Sequence, residues 1–389
     1  MYICASFETA AYRLIAALLG NSLRLLPPKP KIDMKSNLLK ILLLPALLLC
    51  VASFAGSAQT LAPAGGESFT FSTSGTTLTM KLHSSATSVP WIDLNGDQVC
   101  NKGETAVPKN ELGTAYWMLA NTPAQAGTYT VYVEALDELY CDRNGLTDLD
   151  VRRNPALWSL ECHYNNLSDL NVSKNSALMA LNCSGNLLTR LDVSRNAALK
   201  DLHCSDNRLT RLDVSRNPEL NNLYCGKNQL TALDVSRNPA LYELICWGNQ
   251  LTRLDVRNNH YLAFLNFSSN QISELDVSTN SALTELDCSE NLLTRLDVRR
   301  NKYLSKLNCS LNRLPRLDVS RNPLLNTLNC SNNQLTRLDV STNTALTDLD
   351  CSNNRITALN VSNNPELKDL NYSGNPLSGP VVGRNSALK

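Results

Sequence analysis

Six oxygen-bearing positions fall inside one run of twelve residues, DLNGDQVCNKGE: Asp93, Asn95, Asp97, Val99, Asn101 and Glu104 stand at positions 1, 3, 5, 7, 9 and 12. Five offer side-chain oxygens, and Val99 offers its backbone carbonyl. A hard divalent cation takes six to eight oxygen ligands from a flexible loop, so the chemistry this spacing suits is Ca²⁺ binding. A metal-free turn rich in Asp, Asn and Gly uses the same residue types, and it stands beside the cation as an alternative.

Other reactive groups point away from catalysis. The four histidines, His83, His163, His203 and His260, make no H-E-x-x-H pair. There is no G-x-S-x-G elbow and no phosphate-cradling glycine loop. Carboxylates are plentiful, so a glycan-acting enzyme with paired acids is retained as the least favoured class. Ten of the thirteen cysteines, from Cys141 and Cys162 to Cys330 and Cys351, recur in steps of 21 or 42 residues. Phe267 fills the one gap and Tyr372 ends the series. Stacked side chains in a column point the same way, whereas a disulfide needs facing Cβ atoms and a metal needs converging ligands. A phenylalanine in the gap also suits a buried apolar slot. The column is expected to be core, not bridges.

The elements that carry these groups follow from the same period. Leucines stand 21 residues apart from Leu157 and Leu178 to Leu367 and Leu388. Such a period marks a solenoid whose units bury a core only by stacking. Each repeat joins LxxLxCxxNx to LxxLDVxxNxx. Alternating apolar positions in both halves predict strands, and Ser/Asn/Pro groups such as Asn217–Pro218 predict corners too short for a helix. The expected fold is mainly β: a leucine-rich repeat solenoid with two parallel β ladders, preceded by a small β-rich capping module.

Two asparagine columns run from Asn144 to Asn375 and from Asn154 to Asn385. Both are expected to satisfy corner backbone groups. In the second half-repeat, a column of aspartates from Asp150 to Asp339 lies beside arginines at position three (Arg190, Arg211, Arg253, Arg295, Arg316, Arg337) and position eight (Arg195, Arg216, Arg237, Arg300, Arg321). A self-neutralising Asp/Arg lattice is the expectation, with anion binding by the arginines as the alternative.

These repeats resemble leucine-rich repeat proteins of the bacterial 21-residue kind, internalin-like and Bacteroidetes surface proteins, over about residues 140–388. The resemblance implies a solenoid that binds proteins or glycans at a cell surface and brings no catalytic residues. The oxygen-rich run likewise resembles the calcium loop of EF-hand proteins. It departs from that pattern in holding Gln98 where those loops hold glycine, and in having Pro90 and Pro108 beside it in place of helices.

The first half-repeat is the less regular and therefore the more informative. Its outward and exit positions revert to Ser, Asn and Asp in later coils, but earlier ones carry Glu161, His163, Tyr164, His203, Tyr224, Tyr242, Glu243, Ile245, Trp247 and Phe264. Exposed aromatics in one strip are favoured at binding hot spots. This strip is the expected partner-binding site for a protein or glycan. A structural or self-associating surface protein is the other reading.

The chain has 389 residues, 36 basic and 35 acidic, so nothing in its net charge suggests nucleic acid. Residues 1–33 read as an upstream extension and 34–58 as a signal peptide, with Lys35 and Lys40 before an apolar run and Gly56-Ser57-Ala58 before Gln59. The apolar run is too short to span a membrane comfortably, and the mature chain has no transmembrane segment. Cys50 offers a lipoprotein alternative, weakened by the large Leu49 before it. Residues 59–138 form the cap module and 139–389 the solenoid, of about eleven to twelve coils. The expected location is secreted or on a bacterial cell surface. In the last unit Pro380 and Val381 replace the usual Leu and Asp, which reads as a truncated product or an end that packs on a partner.

Overall fold

The computed structural model describes residues 67–379 apart from 75–76, 112–113 and 124. The upstream extension, the leader and the altered last unit at 380–389 lie outside the described residues.

Six strands precede the repeats: β1 (Ser68–Thr73), β2 (Thr77–Ser84), β3 (Trp91–Asp93), β4 (Val107–Glu111), β5 (Thr114–Pro123) and β6 (Gly127–Tyr132). The first coil supplies β7 (Leu136–Tyr140) and β8 (Leu146–Asp150). Eleven three-residue strands follow, from β9 (Ser159–Glu161) to β19 (Asp369–Asn371). They pair in parallel and without slippage: Leu181 lies against Leu202, and Leu202 against Leu223. The inward leucines, valines and cysteines form one continuous core along the whole stack.

The two ladders are unequal. On the first half-repeat each coil forms a true strand. On the second, coil-to-coil backbone bonding continues through one bond per step, such as Arg208 N to Leu188 O and Gln229 N to Leu209 O, both 2.8 Å. At position five of both halves the side chain commonly accepts the backbone N–H two residues on, as Ser194 N donates to Asp192 Oδ1 at 2.9 Å and Ser184 N to Asn182 Oδ1 at 3.2 Å, so this turn bond is shared by the two ladders and does not separate them.

Asparagines complete what the strands leave open. Asn207 donates to Cys183 O and Cys204 O at 3.0 and 3.2 Å, and its Oδ1 accepts Leu188 N at 3.0 Å. Asn196, fully buried, donates to Val172 O and Asn175 O at 3.0 and 2.8 Å. Both columns are therefore structural, as expected. The residue before the first column turns with positive φ in coil after coil, at Tyr164, Asp206, Lys227, Glu290 and Leu311 among others. Non-glycine residues resist this conformation. Here each backbone N–H is held by the next coil, as Asp206 N is by Gly226 O at 2.9 Å.

The cap joins both ladders. β2 pairs antiparallel with β7 and extends the long sheet through β5 and β4, while β1 pairs antiparallel with β8 and begins a second sheet with β6 and β3. Phe69, Phe71, Met80 and Leu82 run into the same core as Leu139 and Leu149. An open solenoid end exposes apolar surface and unpaired strand edges, and the cap covers both edges at once.

One coil is different. Phe267, fully buried, occupies the cysteine slot. In the same coil Leu275 is only partly buried, whereas the leucines at that slot in other coils, such as Leu254 and Leu296, are 6% and 8% exposed.

Candidate functional site

The long sheet presents its outward residues in columns set by the strand register. Position five runs Glu161, Asn182, His203, Tyr224, Ile245 and Asn266, and position three places Glu243 beside Phe264. The register thus sets Glu161, His203, Tyr224, Glu243, Ile245 and Phe264 on one sheet face, while His163, Tyr164, Tyr242 and Trp247 flank those strands, and side-chain contacts divide the ten into two groups.

In the first group, His163 stands between carboxylates, with Nδ1 3.2 Å from Glu161 and Nε2 3.6 Å from Asp142. Asn182 approaches the same ring at 3.3 Å. The Tyr164 ring lies where Gly185 leaves room, since a Cβ on that glycine would come within 2.5 Å of it. The Arg143 guanidinium sits over the other side at 4.4 Å from the ring centroid. In the second group His203 and Tyr224 overlap at 4.1 Å, and Tyr242 meets Phe264 edge-on at 5.4 Å. Trp247 packs over Gly226, where a Cβ would fall 2.7 Å from the indole nitrogen, and Lys227 lies 5.3 Å from its ring. Glycines at 185 and 226 therefore make the slots that hold two aromatic rings in place. Rings fixed before binding lose little freedom on binding.

Partial burial tunes the polar members of the strip. Desolvation lowers the pKa of His203, against the opposing pull of Glu161 and Asp201, so the neutral imidazole is favoured. Burial raises the pKa of Glu243, opposed by a hydrogen bond with Tyr224, and burial also raises that of the Tyr224 hydroxyl.

Trp158 was not legible as a member. It is 39% exposed and holds the same repeat slot as Tyr242, so the shared slot was the available signal. Exposed Tyr261, Tyr303 and Leu324 were missed as well. They stand just before the leading leucine, where most coils carry alanine.

The second half-repeat corrects one expectation. The Asp/Arg lattice is not the main bonding pattern. Asp192, Asp213, Asp234, Asp276, Asp318 and Asp339 are held by the N–H and hydroxyl of the serine two residues on, which lowers their pKa values. Where that residue is arginine the pair forms within the coil, and Arg257 and Arg299 hold Asp255 and Asp297 at pKa about 2. Between coils, Arg190 meets Asp169 at 3.1 Å and Arg295 meets Glu274 at 3.5 Å. Arg211, Arg253, Arg316 and Arg337 make no ion pair among the described residues. A carboxylate already engaged in its own turn has little to offer an arginine one coil away.

The oxygen-rich loop links β3 to the strands after it. Asp93 and Glu104 are buried, at 6% and 3% exposure. Asp93 accepts Gly96 N and Gln98 N at 2.7 and 3.0 Å, and Glu104 accepts Leu94 N and Asn101 N at 3.0 and 2.5 Å. Asn95 and Asn101 both donate to Asp97 Oδ2, at 2.9 and 3.0 Å, which together with the Val99 N–H lowers the Asp97 pKa. All six expected residues thus belong to one closed loop. Its carboxylates accept backbone and amide donors, and no group of three acidic, histidine or cysteine side chains among the described residues is arranged as a metal cage.

The ten cysteines of the column are free and buried. Desolvation raises their thiol pKa values, to about 12 for Cys183, Cys225 and Cys309. They are core side chains, and their burial disfavours the thiolate.

No family model matches the chain, and no curated protein matches it. Solved structures do. The functional domain of InlJ from Listeria monocytogenes, described as including a cysteine ladder, has a TM-score of 0.66 and 38% identity, covering 69% of this chain and 60% of that one. An internalin (inlF) from the same organism has a TM-score of 0.55 at 18% identity, covering 62% and 82%. YopM from Yersinia enterocolitica gives 0.51 at 26% identity, covering 66% and 59%. This chain therefore spans less than two thirds of the InlJ and YopM structures. No helix of the described residues is long and apolar enough to cross a membrane. With its 21-residue period, its buried column of thiols and its strand-per-coil sheet, the chain is a leucine-rich repeat solenoid with the fold of the bacterial internalins.

Proposed function

We propose that this protein is a secreted or surface-displayed recognition module, without catalytic activity, that binds a protein partner through the aromatic strip on its sheet face. The observation that carries the reading is the concentration of Tyr224, Tyr242, Ile245, Trp247 and Phe264 on three adjoining coils, where the coils from Leu283 onward present only polar and charged residues at those slots, such as Ser289, Asn308, Asp287 and Glu285. The internalin-like fold supports a binding role, and the reading of 34–58 as a signal peptide, made from sequence alone, supports export. The same face also suits a glycan, whose sugar rings pack on tyrosine and tryptophan.

The test is affinity capture on the chain from Gln59, with mass spectrometry of what is retained. A triple variant, Tyr242→Thr, Trp247→Ser and Phe264→Thr, installs residues that other coils carry at those slots. Loss of two or more kcal/mol of hot-spot contact is expected to weaken the captured partner roughly 30-fold or more. Equal retention by the variant would remove the strip from the site.

A second reading concerns the cap. Six oxygen-bearing residues in one closed loop, two of them buried carboxylates, suit Ca²⁺. The ion would draw Asp93, Asp97 and Glu104 from backbone donors to itself and stiffen the module that seals the solenoid. Millimolar CaCl₂ is expected to raise the melting temperature of the chain, with MgCl₂ doing less. Asp97→Ala is expected to abolish the difference. Calorimetry that detects no calcium heat in the unaltered chain would discard this reading.

A further inference from the structure

A net charge of +1 conceals two unlike surfaces. Acidic residues occur on both halves of the repeat, as in Glu285 and Asp287 on one and Asp297 and Asp318 on the other, whereas arginines gather on the halves opposite the strands, as in Arg295, Arg299 and Arg300. The basic side is densest at one corner, where Arg299-Arg300-Asn301-Lys302-Tyr303 adjoins Arg321-Asn322-Pro323-Leu324 in the next coil. Asn322 Nδ2 donates to Val298 O at 3.0 Å and to Asn301 O at 2.9 Å, which fixes one corner on the other.

The cations here differ in their engagement. Arg299 is committed to Asp297 through two bonds, at 2.9 and 2.7 Å. Arg300 and Arg321 make no ion pair among the described residues, and with Arg299 and Asp297 they line an open hollow of about 540 Å³. Lys302 Nζ lies 4.8 Å from the Tyr303 ring centroid. Tyr303 and Leu324, at 48% and 51% exposure, continue the same corner outward. Neighbouring coils lack the combination: Ala282 and Ala345 hold the slot of Tyr303, and Thr279 and Thr342 that of Arg300.

A guanidinium fork matches a carboxylate in two parallel bonds. An exposed tyrosine face offers a flat apolar platform beside it. A nucleic acid rewards clustered cations along a longer basic track than this corner offers, while an anionic membrane also rewards cations beside aromatic and apolar side chains and is therefore one outcome of the test. A sugar chain bearing carboxylates uses both features, packing C–H faces on the ring and presenting anions to arginines one coil apart, at about 4.8 Å. We propose that the corner formed by Arg300, Lys302, Tyr303, Arg321 and Leu324 binds a carboxylate-bearing, uronate-type polysaccharide. This surface is separate from the sheet-face strip.

The test uses the full chain with immobilised polygalacturonate, neutral dextran, dextran sulfate and anionic phosphatidylglycerol vesicles. Binding to polygalacturonate is expected to weaken with NaCl, and dextran is expected to retain nothing. Arg300→Thr with Arg321→Thr, and separately Tyr303→Ala, adopt residues of neighbouring coils and so preserve the fold. Each is expected to reduce polygalacturonate affinity at least fivefold. Three results would overturn the proposal: a Tyr303→Ala variant that binds as before, tighter binding to dextran sulfate, or equal binding to vesicles with the same sensitivity to the arginine changes.

Discussion

Truncating Phe267 to alanine is expected to remove about 3–5 kcal/mol of stability, the largest effect of any single side chain in the stack. The ring is fully buried between coils whose equivalent residues are Cys246 and Cys288. Removing the ring from a close-packed core leaves a void. Phe267→Cys, which gives this coil the residue its neighbours use, is expected to cost less, because the thiol refills part of the slot. The measurement is the denaturant midpoint of each variant. In a stack of nearest-neighbour units, a weak central coil also separates the unfolding of the two flanks. A second transition should therefore appear in Phe267→Ala. A single transition at an unshifted midpoint would show that the slot contributes nothing.

Asn312→Ala is expected to cost about 2–4 kcal/mol. Its amide donates to Cys288 O, Cys309 O and Ser310 O at 2.9, 3.2 and 3.1 Å, and its Oδ1 accepts the buried Leu293 N–H at 2.9 Å. Losing the side chain leaves a buried N–H without an acceptor and several carbonyls short of a donor, and an unmet buried polar group costs about 1–3 kcal/mol. Asn312→Asp separates packing from hydrogen bonding. It keeps the shape but turns a donor into an acceptor facing three carbonyls. At neutral pH it is expected to be worse than alanine. It should recover partly on acidification, because the buried carboxyl has a raised pKa in the folded state and its destabilisation fades as it protonates. Thermal melts of both variants across pH distinguish the outcomes. An aspartate variant as stable as the wild type at pH 7 would refute the bonding scheme.

The period made the architecture legible. Leucine, cysteine and asparagine recur together, and each has a single physical use in a stacked coil. The inequality of the two ladders was not legible. Both halves alternate apolar and polar residues, and only the structure reveals that one half forms a strand in every coil while the other keeps a single coil-to-coil backbone bond per step. The positive φ of Asp206, Lys227 and Leu311 was hidden for a related reason: these side chains differ widely, and it is the next coil that holds the backbone in place. The strip on the sheet face could be picked out because Tyr224, Trp247 and Phe264 break a pattern of small polar residues. The glycines beneath it could not, since Gly185 and Gly226 gain meaning only when the adjoining coil is laid over them. The free arginines were also misread. Alternating Asp and Arg suggests pairing, but each aspartate is satisfied within its own turn.

Side-chain bonds between coils, such as those of Asn207 and Asn312, reach only the adjoining turn of the stack. A molecule held at Trp247 therefore has no lever with which to alter the shape near Arg321. Two ligands engaged at those places would combine by tethering alone, each raising the local concentration of the other in proportion to how well a linker spans the gap. Such a rod works as a ruler, setting the distance between the things it holds.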